Sequence, residues 1–265
     1  MLSLLPPPPA TPSPATCTIL VCPSTASPNP TILPLHSRSF LLSSSPPSLS
    51  FPSPPSLLTL RPFPRPLPPL AIPESFGAAL GSHVWDSSLA LASYLQTQPP
   101  PAAVLELGAG LGVAGLTCHL QGCPKVVLTE QDLPELISLL EASAKLNTSA
   151  SIPPPSVLPL PWSSTAPLPP ELEQASFPLL LAADVLYTPQ NLWADLISTA
   201  TKLASDGARL VLAQKHRETG GEGRGERVGK FIDMCGGAGW AVEGEVDGSW
   251  CEDVDVVVFE LRQKI

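Results

Sequence analysis

The stretch VLELGAGLGVAG, residues 104–115, limits the possible folds more than any other part of this chain. An apolar run passes directly into glycines at 108, 110, 112 and 115, and the last three satisfy G-x-G-x-x-G, the spacing of a strand that turns tightly into a helix beside a nucleotide. A βα unit of this kind needs a parallel partner strand and helices to cover the sheet. The residues that follow supply them. VAGLTCHLQG reads as a helix closed by Gly122, KVVLTEQD as a strand, and LPELISLLEASAKLN as an amphipathic helix with Leu136, Leu139, Leu140 and Leu146 for the sheet. SFPLLLAADVLY, NLWADLISTATKLA and ARLVLAQKH continue as strand, helix and strand, separated from the first half by a proline-rich connection.

Ahead of this unit, VWDSSLALASYLQTQ predicts a helix capped by Asp86 or Ser87. Behind it, ETGGEGRGERVGK predicts a loop, KFIDMCG a short helix, and GWAVEGEV with DVDVVVFELR two closing strands. The expected fold is α/β: a Rossmann-like, seven-stranded, mostly parallel sheet with helices on both faces and an antiparallel C-terminal strand pair.

Composition sets the expected boundary of this domain near residue 70. Residues 1–70 hold 20 of the 36 prolines, no acid and no glycine, with Arg38, Arg61 and Arg65 as the full positive charges. Proline fixes φ and removes a backbone donor, so this segment is expected to be disordered, extended and polyproline-like, and residues 71–265 to form the folded domain. Being acid-free, Ser-rich and sparsely basic, the segment also shares part of the signature of an organelle transit peptide. The expected compartment is the cytoplasm, or an organelle if residues 1–70 act as a transit peptide.

No window reaches the ~20 nearly continuous apolar residues that a membrane span needs, so no membrane partner is expected. Residues 71–265 carry all 23 acids against 11 bases, a formal charge of −12, which repels phosphate backbones and argues against a nucleic-acid partner. The six cysteines show neither C-x-x-C nor paired Cys/His spacing, so no metal site is expected and the thiols are read as reduced and mostly buried.

In an open α/β sheet, ligands bind beyond the carboxyl ends of the strands, where this chain places Glu106, Glu130 and Asp184. Glu130 lies 22 residues past Gly108, where a carboxylate meets ribose hydroxyls in adenosine-binding units; Asp132 is the alternative for that role. Glu106 helps choose the ligand. A carboxylate ~5 Å from a pyrophosphate costs about 3 kcal/mol per charge pair at an effective dielectric near 20, whereas the same charge beside a sulfonium and an α-ammonium is favourable.

These residues resemble a known family. VLELGAGLGVAGL is similar to motif I of the seven-β-strand S-adenosylmethionine-dependent methyltransferases. VWDSSLALASYL, VVLTEQDLPELI, PLPW and LLLAADVLY follow in the order of the methyltransferase-like 21 protein-lysine methyltransferases, a likeness over residues 80–262. The resemblance implies that Trp85 borders S-adenosyl-L-methionine, that Glu106, Gly108 and Gly110 surround its methionine end, and that Glu130 holds the ribose. It further implies that Trp162 lies against the adenine, that Ala183 and Asp184 line the site beneath the methyl group, and that Tyr187 faces the substrate. Each has a structural alternative: core aromatics for Trp85 and Trp162, tight packing for the glycines, a helix cap for Asp184.

The expected activity is methyl transfer to a lysine side chain of a non-histone protein by a monomer. Asp184 would align the amine and Tyr187 would wall a channel along the methylene stem. A small-molecule methyltransferase, an NAD(P)-linked oxidoreductase and a catalytically silent interaction module are the alternatives. The absence of N-P-P-Y or D-P-P-Y around Asp184 speaks against nucleic-acid and glutamine methylation. The chain departs from the family pattern in having Glu rather than Asp at 130, Pro161 before Trp162, and a short segment ahead of Val84 from which little help in holding a substrate is expected.

Overall fold

The computed structural model describes residues 15–20, 36–42, 56–60, 67–68, 70–75, 79–148, 154–216, 225–245 and 256–264. Within the proline-rich segment it shows β1 (Ala15–Leu20), β2 (His36–Leu42) and β3 (Ser56–Leu60), which with β4 (Leu70–Ile72) pair antiparallel in sequential order. Extended backbone is what the composition predicts, but pairing is not. All four strands occupy proline-free windows, flanked by prolines such as Pro14, Pro55, Pro69 and Pro73, so every residue keeps the N–H a ladder requires. The remaining disorder and transit-peptide expectations fall outside the described residues.

The main sheet follows. After α1 (Asp86–Thr97) come β5 (Val104–Leu107), α2 (Val113–Leu120), β6 (Val126–Glu130), α3 (Pro134–Leu146) and β7 (Ser156–Pro159). The chain then crosses back to β8 (Phe177–Ala183), α4 (Asn191–Leu203), β9 (Ala204–Lys215), α5 (Glu226–Gly237), β10 (Trp240–Glu245) and β11 (Val256–Gln263). The spatial order is β10-β11-β9-β8-β5-β6-β7. Strands β5 to β9 are parallel, and β11 runs antiparallel to both β9 and β10, as the closing strand pair predicted. Because the chain moves outward from β5 to β6 and β7 and then returns to β8 on the other side of β5, the crevice at the carboxyl ends of β5 and β8 is the switch point where such sheets bind ligands.

Alternation along the strands sorts the core into two layers. Val104, Val126, Leu128, Leu179, Leu181 and Val211 meet the helices α1, α2 and α3 on one face. Leu105, Val127, Leu180, Ala182, Leu210 and Leu212 meet α4 and α5 on the other, around Trp193 and Phe231. Cys118, Cys123 and Cys235 are free and buried; the side chains of the other three cysteines lie outside the description. Among the described residues, no helix is long and apolar enough to cross a membrane.

Several boundaries differ from the sequence reading. The cap of α1 is Trp85, without a side-chain cap bond, because Asp86 pairs with Lys215 at 2.5 Å instead. The seventh strand, β7, sits within the proline-rich connection; it lies at the sheet edge, where Pro159 is tolerated. Helix α5 begins at Glu226, inside the predicted loop. The core also begins before residue 71. Leu70 and Ile72 are fully buried, and Ala71 exchanges two 2.8 Å hydrogen bonds with the amide side chain of Asn147, which acts as a strand partner from the end of α3.

Candidate active site

The glycine loop between β5 and α2 is held by acceptors from the protein itself. The Ala109 N–H donates to Thr129 O at 2.9 Å and the Gly112 N–H to Ala109 O at 2.7 Å. The Gly110 N–H donates to Glu130 Oε2, and the Gly115 N–H to Glu106 Oε2, both at 2.8 Å. One amide at the cavity wall, that of Gly110, is therefore already taken by the carboxyl group of Glu130.

The arrangement corrects the expectation for Glu106. It does not stand at the edge of the pocket: its side chain leaves the sheet on the α2 face, is 1% exposed, and reaches the first turn of the helix. A Cβ at Gly115 would lie 2.4 Å from Leu128 Cδ2 and 2.8 Å from Glu106 Oε2, so the fourth glycine makes room for this carboxyl. Burial pushes the Glu106 pKa up to about 8, against the opposing pull of the Gly115 amide, and nearby Glu130 adds to the rise. At neutral pH the group is mainly protonated and carries no charge toward the pocket.

The pocket is a cavity of about 740 Å³ at the switch point. All the other predicted site residues line it: Trp85, Gly108, Gly110, Glu130, Trp162 and Ala183, together with Asp184 and Tyr187. Trp162 covers the loop so closely that a Cβ at Gly108, whose φ is +63°, would lie 3.0 Å from Cζ2 of the indole. Trp85 is on the rim rather than in the core, with its indole N–H donating to Leu80 O at 3.0 Å. Among the described residues, the acids in the lining are Glu130, Asp132 and Asp184, and no lysine or arginine contributes to it. Glu130 is buried, its two oxygens accept from Gly110 N and Gln131 N, and desolvation raises its pKa. Each carboxylate oxygen has a second lone pair, so these bonds leave capacity for ligand hydroxyls.

Asp184 ends β8 in the left-handed region, at φ 56° and ψ 32°, and among the described residues it is the one non-glycine with positive φ. Such a conformation costs of order 1 kcal/mol and persists where the surroundings over-determine it. Asp184 precedes the 3-10 turn Val185–Tyr187 but does not cap it with its side chain. Its Oδ1 instead accepts a 2.7 Å bond from Gln214 Nε2. Tyr187 is half-exposed at the mouth, and partial burial followed by the fields of Glu130 and Asp184 raises its phenol pKa.

Sequence reasoning missed part of the wall. The segment ahead of Val84, considered in the sequence only for holding a substrate, places Leu80, Gly81 and His83 in the wall beside the glycine loop. Their turn is pinned by Ser82 Oγ, which contacts Ser75 O at 2.7 Å and Ala79 O at 2.6 Å. Gln214 was also missed, although its place at the carboxyl end of β9 follows the same strand-end rule that singled out Asp184.

The sequence profile described as lysine methyltransferase matches residues 65–233. EEF1A lysine methyltransferase 3 of Xenopus tropicalis is 33% identical over 161 residues, covering 57% of this chain and 66% of that protein. Protein N-lysine methyltransferase METTL21A of the same species is 29% identical, covering 51% and 60%. Histone-arginine methyltransferase METTL23 of Xenopus laevis is 28% identical, covering 49% and 54%. The chain thus spans between about half and two thirds of the length of these relatives. Among solved structures, a methyltransferase from Pyrococcus furiosus superposes with a TM-score of 0.53 at 12% identity, covering 74% of this chain and 90% of its own. The glycopeptide N-methyltransferase MtfA complexed with S-adenosyl-L-methionine does so with a TM-score of 0.51 at 12% identity, covering 72% and 100%. Both share the fold of this chain.

Proposed function

The chain belongs to the lysine methyltransferase family, and from that membership we propose that it transfers methyl from S-adenosyl-L-methionine to a lysine side chain of a protein. The observation that carries the reading is the charge of the switch-point cavity: three carboxylic side chains line it, no lysine or arginine does so among the described residues, and the Gly110 amide at its wall is already bonded to one of those acids. A cationic donor suits such a pocket and a dinucleotide does not.

The residues present fit this donor. Trp162 and Leu133 offer apolar faces for the adenine, Glu130 and Asp132 acceptors for the ribose, and Gly108 and Gly110 a surface without side chains for the methionine portion, with Trp85 at its border. When bound, S-adenosyl-L-methionine supplies a methyl group activated on a sulfonium sulfur. The chain's own task is positioning. Lysine, with an ordinary pKa near 10.4, must arrive neutral or release its proton to water at the mouth. Asp184 accepts a hydrogen bond from the amine and aligns it; a carboxylate by itself would hold the proton, so alignment is its role. Tyr187 walls the stem.

The relative named for arginine methylation supports a second reading, in which a guanidinium is the acceptor. One experiment separates them. The full-length protein is incubated with tritiated S-adenosylmethionine and either purified EEF1A, after which one of the relatives is named, or a cell extract, and the labelled side chain is mapped. Label on lysine is expected; label on arginine would establish the second reading, and label on metabolites alone would overturn both.

A further inference from the structure

The turn that carries Tyr187 is gripped from two sides by residues outside the family-like motifs. Leu186 N–H donates to Gln214 Oε1 at 3.0 Å, and the same amide side chain donates through Nε2 to Asp184 Oδ1 at 2.7 Å and to Lys215 O at 3.1 Å. On the other side, Arg227 of α5 donates to Leu186 O from Nε at 3.1 Å and from Nη2 at 2.7 Å, and to Thr188 O at 3.0 Å. Its guanidinium lies 4.9 Å from the centre of the buried Trp193 ring, which fixes the plane of the fork. Gln214 therefore ties the carboxylate of Asp184 to the N–H of Leu186, while Arg227 holds the carbonyls of both neighbours of Tyr187.

Resting on the methyl-transfer reading above, we propose that Gln214 and Arg227 are positioning residues that set the Asp184 carboxylate and the Tyr187 ring in register for the acceptor amine. The buried Gln214 is suited to this because a neutral amide can donate to the carboxylate and accept from the backbone at once. A second acid there would face Asp184 as a like charge. Arg227 is suited because its fixed fork spans two carbonyls, which a lysine ammonium does not reproduce. Gln214 stands at the end of β9 and Arg227 at the start of α5, so two elements hold the turn between Asp184 and Thr188.

The test uses full-length wild type, Q214L, Q214E, R227M and R227K. Initial methyl incorporation from tritiated S-adenosylmethionine into a cell extract is followed from pH 6 to 9, cofactor affinity by calorimetry, and backbone amide exchange across residues 184–188 by mass spectrometry. Q214L and R227M are expected to lower the rate at least about tenfold with cofactor Kd within about threefold of wild type, the signature of an interaction that acts on the reacting geometry rather than on binding. Exchange at Leu186 rises while β5 is unchanged. R227K recovers part of the rate.

Q214E supplies the readout that loss of packing would not move. Protonated, its carboxyl donates to Asp184 as the amide does; ionised, it repels. The ratio of its rate to wild type therefore falls as pH rises, and this profile decides the matter if Q214L does not fold. Wild-type rates in Q214L, unchanged exchange at Leu186, or a pH-independent Q214E ratio would overturn the proposal. A wild type that transfers no label would overturn the methyl-transfer reading, and amide exchange would still decide whether these two residues hold the turn.

Discussion

The carboxyl of Glu106 lies 2.8 Å from the backbone N–H of Gly115, inside the protein and away from the ligand cavity. An acid that sequence position alone places beside a ligand is thus the buried acceptor for the start of α2. The negative character of the site comes from Glu130, Asp132 and Asp184.

This placement predicts how stability varies with pH. The Glu106 carboxyl has an ordinary value of 4.5 and rises to about 8 in the fold. Between those values the folded chain binds more protons than the unfolded one, so this group's contribution weakens as pH climbs from about 4.5 toward 8 and then levels off. E106Q, which mimics the protonated form and keeps an acceptor for Gly115, is expected to show a flatter melting temperature than wild type from pH 5 to 9. A parallel decline in both proteins would refute the assignment.

Gly115 should not tolerate a side chain. The added methyl in G115A meets Leu128 at 2.4 Å and the Glu106 oxygen at 2.8 Å, and overpacking of this kind costs about 1–3 kcal/mol. Urea unfolding is expected to show a lower midpoint. Because E106A removes one of the clashing partners, the double variant should lose less than the two single losses combined.

Gly108 is the position where stability and ligand affinity should separate. In G108A the new methyl strains a φ of +63° and pushes on Trp162. The backbone strain is of order 1–2 kcal/mol. Calorimetry is expected to show S-adenosylmethionine binding weakened at least about tenfold, with the melting temperature down by several degrees. Unaltered affinity would remove Gly108 from the methionine end of the site and Trp162 from the adenine.

Asp184 should matter to transfer and not to cofactor binding. D184A is expected to abolish incorporation of labelled methyl, while D184N, which tolerates the left-handed backbone and keeps an oxygen for Gln214, should transfer at least about a hundredfold more slowly than wild type. Both should bind S-adenosylmethionine within a few-fold of wild type. Joint loss of binding and transfer would mean that Asp184 serves the cofactor instead.

The site was legible in the sequence wherever chain position alone decides location. Gly108, Gly110, Glu130, Ala183 and Asp184 sit at the carboxyl ends of strands, and parallel topology brings those ends together. Side-chain direction was less legible. β5 is buried on both faces, so apolar periodicity gave no sign that Glu106 shares the α2 face with Val104. The strand Ser156–Pro159 was hidden because its edge position accepts the prolines that normally argue against a strand. The start of α5 at Glu226 was masked by the glycines before it, and Gly225 at φ +83° is the turn that admits the helix. The rim residues Leu80, Gly81 and His83 reach the cavity through tertiary packing of a turn, for which no local pattern exists.

The two bonds between Ala71 and Asn147 set a limit on how far the chain could be trimmed from this side. A peptidase that trimmed this polypeptide upstream of Leu70 would leave the clasp whole. A cut even three residues further on would strip the partner from a buried amide and uncover the apolar seat of Leu70 and Ile72. Any shortened form that persists should therefore retain Leu70 and the strand that it begins.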